Sequence, residues 1–479
     1  MRRTGIVVTL LVSALIFFCL GAGRAFCDDN MAEKLDKALK ELDEVKQRLA
    51  KLEGGEPSAR LDEAMSERIE KWFESKDKEI MEHLSSSEYR RNLLGIDLEL
   101  EGGLTFIYQT VVGGVHSVHD DRDGARRDAL SLRFDLGLKA NLTENQYVYM
   151  LLRGGNGDGI DAAVPNNLGL NDAAFPSADP LDPTNGGSAS DVRLIEAYYE
   201  GSFFKGKVVL TFGKIDLTNY FDANAVANDE TTQFISTALI NNLTIPFADD
   251  NDAGIRLLYS PFGAYDPDDE DPDATDWLIF QAALSETDAN FNEVTQDGLG
   301  VFEVEFRPHK APCLKHIFGN RPGHYRFGFY FSEADFATLG EQRRGATNTP
   351  DHGTVGFYMS FDQGVCDWLT LFMRYGSQDS DIALNDQFWS FGGAVAGSLW
   401  GREDDVLAFG LGINVNNSDS GFLWPQYQGD ERIWEMYYRW QVNEHLAFSP
   451  VLQVLQNPSG ERSETTTATI LGLRLQIDF

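Results

Sequence analysis

The sequence predicts an all-β transmembrane antiparallel barrel of about sixteen strands, preceded by a short N-terminal α-helical coiled coil. Three observations predict it: an export signal at the front, a two-residue hydrophobic alternation from residue 96 onward, and a last segment, LGLRLQIDF, split cleanly into two faces. In that segment Leu471, Leu473, Leu475, Ile477 and Phe479 share one face, and Arg474, Gln476 and Asp478 share the other. A strand that crosses a bilayer between lipid and water needs such a split, because successive side chains point to opposite sides.

Composition agrees. The chain has 479 residues, of which 42% are hydrophobic, and its mean hydropathy of −0.29 leaves no room for a bundle of membrane helices. A barrel escapes that limit, since only every second residue faces lipid. With 75 acidic against 40 basic residues the formal charge is −35, which repels phosphate backbones and excludes nucleic acid as a partner. Much of the acid lies in turn-like segments, Asp172 to Asp191 and Asp266 to Asp276, as expected of a solvated rim.

At the N-terminus Arg2 and Arg3 precede the apolar run Ile6 to Leu20 and the small-residue exit GAGRAFC. Residues 1–27 are therefore expected to be a secretory signal peptide, cut after Cys27 on the Ala25-x-Cys27 pattern; a retained anchor helix or a lipidated Cys27 are the alternatives. Residues 28–90 are expected to be helical. Met31, Leu35, Ala38, Leu42, Val45, Leu49 and Leu52 alternate spacings of four and three, the seam of a coiled coil, until Gly54, Gly55 and Pro57 break it. A second pattern runs through Leu61, Met65, Ile69, Trp72, Ile80 and Leu84. Such short helices are marginal alone, so a periplasmic stalk under a homotrimer is expected, with a simple amphipathic tether as the alternative.

Residues 91–479 are expected to form the barrel. Ile96, Leu98, Leu100, Leu104, Phe106 and Tyr108 alternate with Asp97, Glu99, Glu101 and Thr105, and Trp434, Met436, Tyr438 and Trp440 oppose Glu435, Tyr437, Arg439 and Gln441. Segments of this kind fall near 97–112, 128–141, 144–155, 191–203, 206–214, 250–262, 274–286, 298–308, 322–334, 352–363, 366–378, 387–398, 404–417, 429–443, 444–455 and 464–479. An even number puts both ends on one side of the membrane. The even connections include short turns such as LTEN and Asn443-Glu444, so they are expected in the periplasm, although 263–273 and 309–321 are longer than that rule predicts. A soluble β-sandwich would not place Phe, Tyr and Trp near the segment ends with Leu, Val and Ile between them, as an aromatic girdle around a lipid band does.

Phe212 to Phe247 interrupts the strands. It crowds Asp222, Asn224, Asn228, Asp229, Glu230 and Gln233 among small residues, a density of hydrogen-bonding groups suited to a sugar or a hydrated ion. The stretch GKIDLTNYFDANAVANDETTQF resembles the signature of the carbohydrate-selective porins of the OprB family, and the resemblance extends more weakly over residues 95–479. It implies that this loop folds into the pore and that small sugars cross outer-membrane lipid by passive diffusion through a water-filled lumen.

Strand parity adds the wall. Arg133, Asp135, Arg153 and Glu196 are expected to point inward, as are Arg256, Glu303, Glu305 and Arg326, and then Arg374, Glu435, Arg439 and Arg474. Paired cations and anions can hydrogen-bond sugar hydroxyls without retaining an ion of either sign. Tyr147, Tyr149 and Tyr437 offer rings on which a pyranose can stack. A general or cation-preferring porin, or an envelope anchor whose coiled coil is the functional part, remain as other readings. Phosphate-type porins also carry N-terminal coiled coils, but a basic lumen is expected there.

No enzyme is expected: the G-x-S-x-G elbow is missing and the eight His are scattered. His116-Ser-Val-His119-Asp120-Asp121 has metal-ligand types without a fixed scaffold, and DPDDEDPDATD lacks the Gly and terminal Glu of a calcium loop. No metal site or cofactor is expected. Of four cysteines two fall in the signal region, and an oxidising periplasm permits a disulfide between Cys313 and Cys366, with two free thiols as the alternative.

Overall fold

The alternation resolves into sixteen antiparallel strands: β1 (Asp97–Gly113), β2 (Asp128–Thr143), β3 (Gln146–Asn156), β4 (Asp191–Phe203), β5 (Val208–Ile215), β6 (Asp252–Tyr259), β7 (Leu278–Glu286), β8 (Gly298–Phe306), β9 (Gly323–Ser332), β10 (Thr354–Cys366), β11 (Leu369–Gln378), β12 (Asn385–Ala396), β13 (Val406–Asn416), β14 (Glu431–Asn443), β15 (Leu446–Gln456) and β16 (Thr467–Asp478). Every expected segment overlaps its strand. The computed structural model describes residues 97–479 apart from 114–127, 162, 176–190, 248–250, 268–270, 272, 288–297, 320, 335–337, 340–352, 418–428 and 461–466. The expected signal peptide at 1–27 and the coiled coil at 28–90 lie outside the described residues, as does the His116 to Asp121 run.

Each strand pairs with its chain neighbours, and β16 pairs with β1 to close the barrel. The closing register runs from Gly103 opposite Asp478 to Thr110 opposite Leu471. Phe479 completes the seam: its backbone N–H and C=O both bond Gly102 at 2.9 Å. Gly102 is needed here, because a Cβ would collide with the Phe479 ring. Closure leaves no strand edge unpaired in lipid.

The outward face is apolar along every strand. Leu100, Leu130, Leu257, Phe329, Phe409, Trp434 and Leu473 stand exposed there, which in water would be a severe cost and in a bilayer is the means of insertion. Aromatic groups gather at both ends: Trp440 lies against Phe448 and Trp400 against Tyr438 near one rim, while Phe357, Tyr375 and Trp389 stack in sequence near the other.

The connections at the end that carries the start of β1 are short between β2 and β3, β10 and β11, and β14 and β15. The two long ones at that end, 260–277 and 307–322, are tied together through buried ion pairs among their described residues. Asp276 is fully buried and accepts from Arg307 Nη1 at 2.7 Å and Lys310 Nζ at 3.0 Å. Cys313 and Cys366 are both free, the alternative to the disulfide that the sequence left open. Cys313 is exposed on the connection between β8 and β9, whereas Cys366 ends β10, so strand β9 and the reversal after it separate them in the chain.

The inner face departs from the expected uniform charge. Toward the far end it turns apolar, with Phe388, Ile433, Leu455 and Ile470 buried against Ile160, Val164, Leu168 and Leu170 of the connection between β3 and β4. Phe372, Tyr437 and Val451 likewise cover Phe234, Leu239 and Ile240 of the connection between β5 and β6. Two connections therefore fold into the barrel, and each is held there by a hydrophobic core of its own.

Candidate functional site

The inward turn begins at Asp216, whose carboxylate accepts from Thr218 N (2.9 Å) and Thr218 Oγ1 (2.6 Å) and caps a short turn, Leu217–Asn219. Apolar residues then seat the segment: Leu217, Phe221 and Ile245 pack on Leu299, Val301, Tyr330 and Tyr358. A four-residue helix, α1 (Thr237–Ile240), follows further along. Glycines clear its path across the wall. A Cβ at Gly376 would strike Thr244 Oγ1 and Asn242 Oδ1, and one at Gly410 would press on Leu239 and Phe234.

Most of the polar residues expected to line the pore serve instead to hold this segment. Asp222 is 3% exposed. It takes a left-handed backbone (φ 58°), pairs with Arg374 Nε at 2.8 Å, and donates its N–H to Glu303 at 2.9 Å. Asn224 donates to Phe361 O at 3.2 Å, and the carbonyl of Ala223 accepts from Arg326 at 2.8 Å. Glu435 accepts the N–H groups of Ile235 (2.8 Å) and Ser236 (3.0 Å), and Arg474 donates to Glu230 O (2.9 Å) and Gln233 O (2.7 Å). Gln233 ties the bend internally, accepting from Asn228 N at 2.6 Å and donating to Ala225 O at 3.0 Å. Arg256 donates to Gln281 at 2.9 Å and lies 4.1 Å from the Tyr220 ring centroid. Glu305 is buried between Arg326 and Arg307, at 3.2 and 2.9 Å.

Buried anchors and half-exposed groups divide the lumen into two sides. Ser360, Arg374, Gln453 and Arg474, on β10, β11, β15 and β16, are at most 1% exposed under the inserted loops. On the opposite wall a string of alternating charge meets the loop: Arg153 Nε to Asp135 (2.6 Å), Asp135 to Arg133 Nε (2.7 Å), and Arg133 Nη1 to Glu230. The side chains of Arg153, Asp135 and Glu230 keep 23, 22 and 16% of their surface open. Asn228, Asp229, Thr231 and Thr232 are half-buried along the same edge, with Asp229 accepting from Thr231 N at 2.7 Å. The more accessible polar groups thus lie beside β2 and β3.

One sequence expectation holds through an irregularity and another needs correction. Glu196 faces inward as expected, but by way of a bulge at Ile195: Leu151 pairs with Glu196 and Leu152 with Leu194, so one extra residue shifts the parity. Arg439 is not at the constriction. It pairs with Val406 on the last rung between β13 and β14, and lines a rim recess of about 970 Å³ with Asp404, Gln441, Asn443 and His445.

The described part of the connection between β3 and β4 folds inward and locks onto the segment after β5: Thr237 N donates to Gly169 O (3.1 Å), Ala238 N to Leu168 O (2.9 Å), and Thr237 Oγ1 to Asp172 (2.6 Å). Gly169 is left-handed (φ 60°), and a Cβ there would hit Thr237. The signal for this was present in the apolar run Ile160, Val164, Leu168, Leu170 and Phe175, which an external loop does not need.

Electrostatics sharpen the edge facing water. Burial and the neighbouring Glu230 push the Asp172 carboxyl up to about 7, whereas at Glu230 the burial cost is outweighed by Arg133 and Arg153, which hold it below the usual carboxylate range. Asp172 is thus neutral below pH 7 and gains its charge above it. Cation over anion preference in a KCl gradient is expected to rise between pH 6 and pH 8, and Asp172→Asn is expected to flatten that rise. An identical rise in the variant would remove Asp172 from the lumen field.

A family model described as carbohydrate-selective porin, OprB family, matches residues 122–479. The chain belongs to the OprB family. Among solved structures, the high-pH structure of Pseudomonas putida OprB is similar at 17% identity and a TM-score of 0.62, over 80% of this chain and 94% of that one. A low-pH structure of the same protein matches at 16% identity, 80% and 92% coverage and a TM-score of 0.46. A mutant Rh. blastica porin matches at 11% identity, 80% and 100% coverage and a TM-score of 0.45. No curated protein matches the chain. Family and barrel together make this a porin of the outer membrane, a channel fold with the inserted segment after β5 as its candidate narrowing element.

Proposed function

We propose that this OprB-family porin passes small carbohydrates by passive diffusion through an off-centre lumen bounded by β1 to β4 on one side and by the inserted segment 216–247 on the other. The observation that carries this is the string Arg153, Asp135, Arg133 and Glu230, buried at Arg133 and partly open at the other three, which bridges wall and loop at balanced charge. Fixed donors and acceptors of both signs replace a sugar's hydration shell without trapping a free ion. Tyr147, Tyr149 and Tyr198 offer apolar faces just beyond it. Asp222 and Asn224 act in this reading as positioning residues, since they hold the segment and do not meet the water. The heptad spacing of Met31 to Leu52 supports a homotrimer with its helical segment in the periplasm.

Liposome swelling tests the reading. Neutral sugars are expected to enter faster than amino acids of matching size. Equal rates at matched size would leave a general porin, entry of cations alone a cation-preferring one, and no swelling an envelope anchor.

A further inference from the structure

Beyond the constriction, the inner wall of β3 and β4 carries rings and carboxylates in an arrangement that a neutral sugar does not require. Tyr198 lies 5.4 Å from Tyr149 and 6.3 Å from Tyr147, centroid to centroid, and all three are half-buried. Their hydroxyls are committed: Tyr149 donates to Glu101 at 2.7 Å, Tyr147 to Glu200 at 2.8 Å, and Tyr198 shares a hydrogen bond with Tyr220. The faces are what remain.

The bulge at Ile195 turns Glu196 in beside these rings. Glu196 is 5% exposed and takes a hydrogen bond from the Asp216 backbone, with Asn219 at 3.5 Å from Oε1, yet its Oε2 has no hydrogen-bond partner. A buried carboxylate oxygen without a donor is costly, so Oε2 is the place where a further donor would be favourable. Arg153 does not supply it directly, since its guanidinium is engaged with Asp135 at 2.6 Å, and the nearby Asp216 adds a second negative charge. The chain also shows which chemistry the patch accepts. Lys139 places its ammonium 5.0 Å from the Tyr147 ring centroid and 3.5 Å from Glu99, an amine held between a ring and a carboxylate. Among the described residues no group of three or more metal-binding side chains occurs, which turns the reading from a metal ion toward an organic cation.

We propose that Tyr149, Tyr198 and Glu196 form a subsite for a cationic amino sugar, the pyranose stacking on the rings and its ammonium donating to Glu196 Oε2. The proposal rests on the reading of the chain as a sugar-permeable pore. A ring with a hydroxyl in place of the amine keeps the stacking and loses the charge-assisted bond.

The test is current block in planar bilayers by the full-length protein at pH 6.5, with glucosamine, N-acetylglucosamine and glucose as probes. Glucosamine is expected to half-block at a concentration about tenfold below that of N-acetylglucosamine, the scale of one hydrogen bond to a charged group. In Glu196→Gln the two are expected to converge. If that variant fails to form a heat-modifiable barrel, Tyr149→Leu is read in its place. Equal block by both amino sugars in the wild type overturns the subsite, and so does a preference that survives Glu196→Gln, because the charge would then act only as a field. Failure of all three sugars to enter or block would instead overturn the pore reading beneath it.

Discussion

Replacing Arg374 by Ala is expected to release the inserted segment after β5, raising single-channel conductance and its noise and lowering the temperature at which the barrel unfolds. Arg374 is fully buried and makes the ion pair to Asp222 (2.8 Å) together with bonds to Leu239 O (2.8 Å), Asp222 O (3.0 Å) and Asn228 Oδ1 (3.3 Å). Removing one partner of such a pair leaves the other charge buried and uncompensated, a loss of about 3–5 kcal/mol. The backbone of Asp222 is left-handed, and apart from Arg374 it is held by its N–H bond to Glu303 and by the packing of Phe221.

The effect has a pH sign. Burial pushes the Asp222 carboxyl up to about 7 even with Arg374 opposing it, from 3.8 unperturbed. A raised carboxyl gives its stability below the unperturbed value and loses it as pH rises through 7. The Arg374→Ala defect should therefore be larger at pH 8 than at pH 5. Arg374→Lys keeps the charge but not the planar fork, and is expected to fall between wild type and Ala. Conductance that matches wild type in Arg374→Ala would show that the apolar seat of Phe221 and Phe234 holds the segment unaided.

The second large effect is one of selectivity. Arg133 is the centre of the string, bonded to Asp135 at 2.7 Å and to Glu230. The four charges cancel as they stand. Arg133→Ala leaves one cation against two carboxylates where wall and inserted segment meet, so the reversal potential in a KCl gradient should move strongly toward cation preference. Adding Glu230→Gln restores the balance and should return most of the shift. An unchanged reversal potential in Arg133→Ala would place the ion path elsewhere.

How much of this was legible before the coordinates follows from what alternation can and cannot report. Strand positions were readable, because a lipid face and a lumen face force a period of two, and even the last rung with Phe479 was visible. Parity also placed Arg133, Asp135 and Arg153 inward. It could not say whether an inward residue meets water or a loop, which is why Asp222, Asn224, Arg374 and Glu435 read as pore lining and are anchors. Parity carries no depth either, so Arg439 read like Arg133 although it sits at the rim. Glu196 was read inward, but the bulge at Ile195 that puts it there left no trace in the alternation, since a single inserted residue flips every later side chain. Ile433, Leu455 and Ile470 opposite the apolar run at 160–170 were the trace of the second inserted loop, and a strand apolar on both faces near one end is the pattern to seek.

The central claim is that water and solute run beside β2 to β4 while the loops fill the other side. With Cys313 and Cys366 replaced by Ser, single cysteines at Tyr149 and Arg153 are set against single cysteines at Ser360 and Gln453, and each is exposed to a charged, membrane-impermeant methanethiosulfonate during single-channel recording. The account predicts a step loss of current at Tyr149→Cys and Arg153→Cys and none at Ser360→Cys and Gln453→Cys; equal block at Ser360→Cys or Gln453→Cys would contradict it.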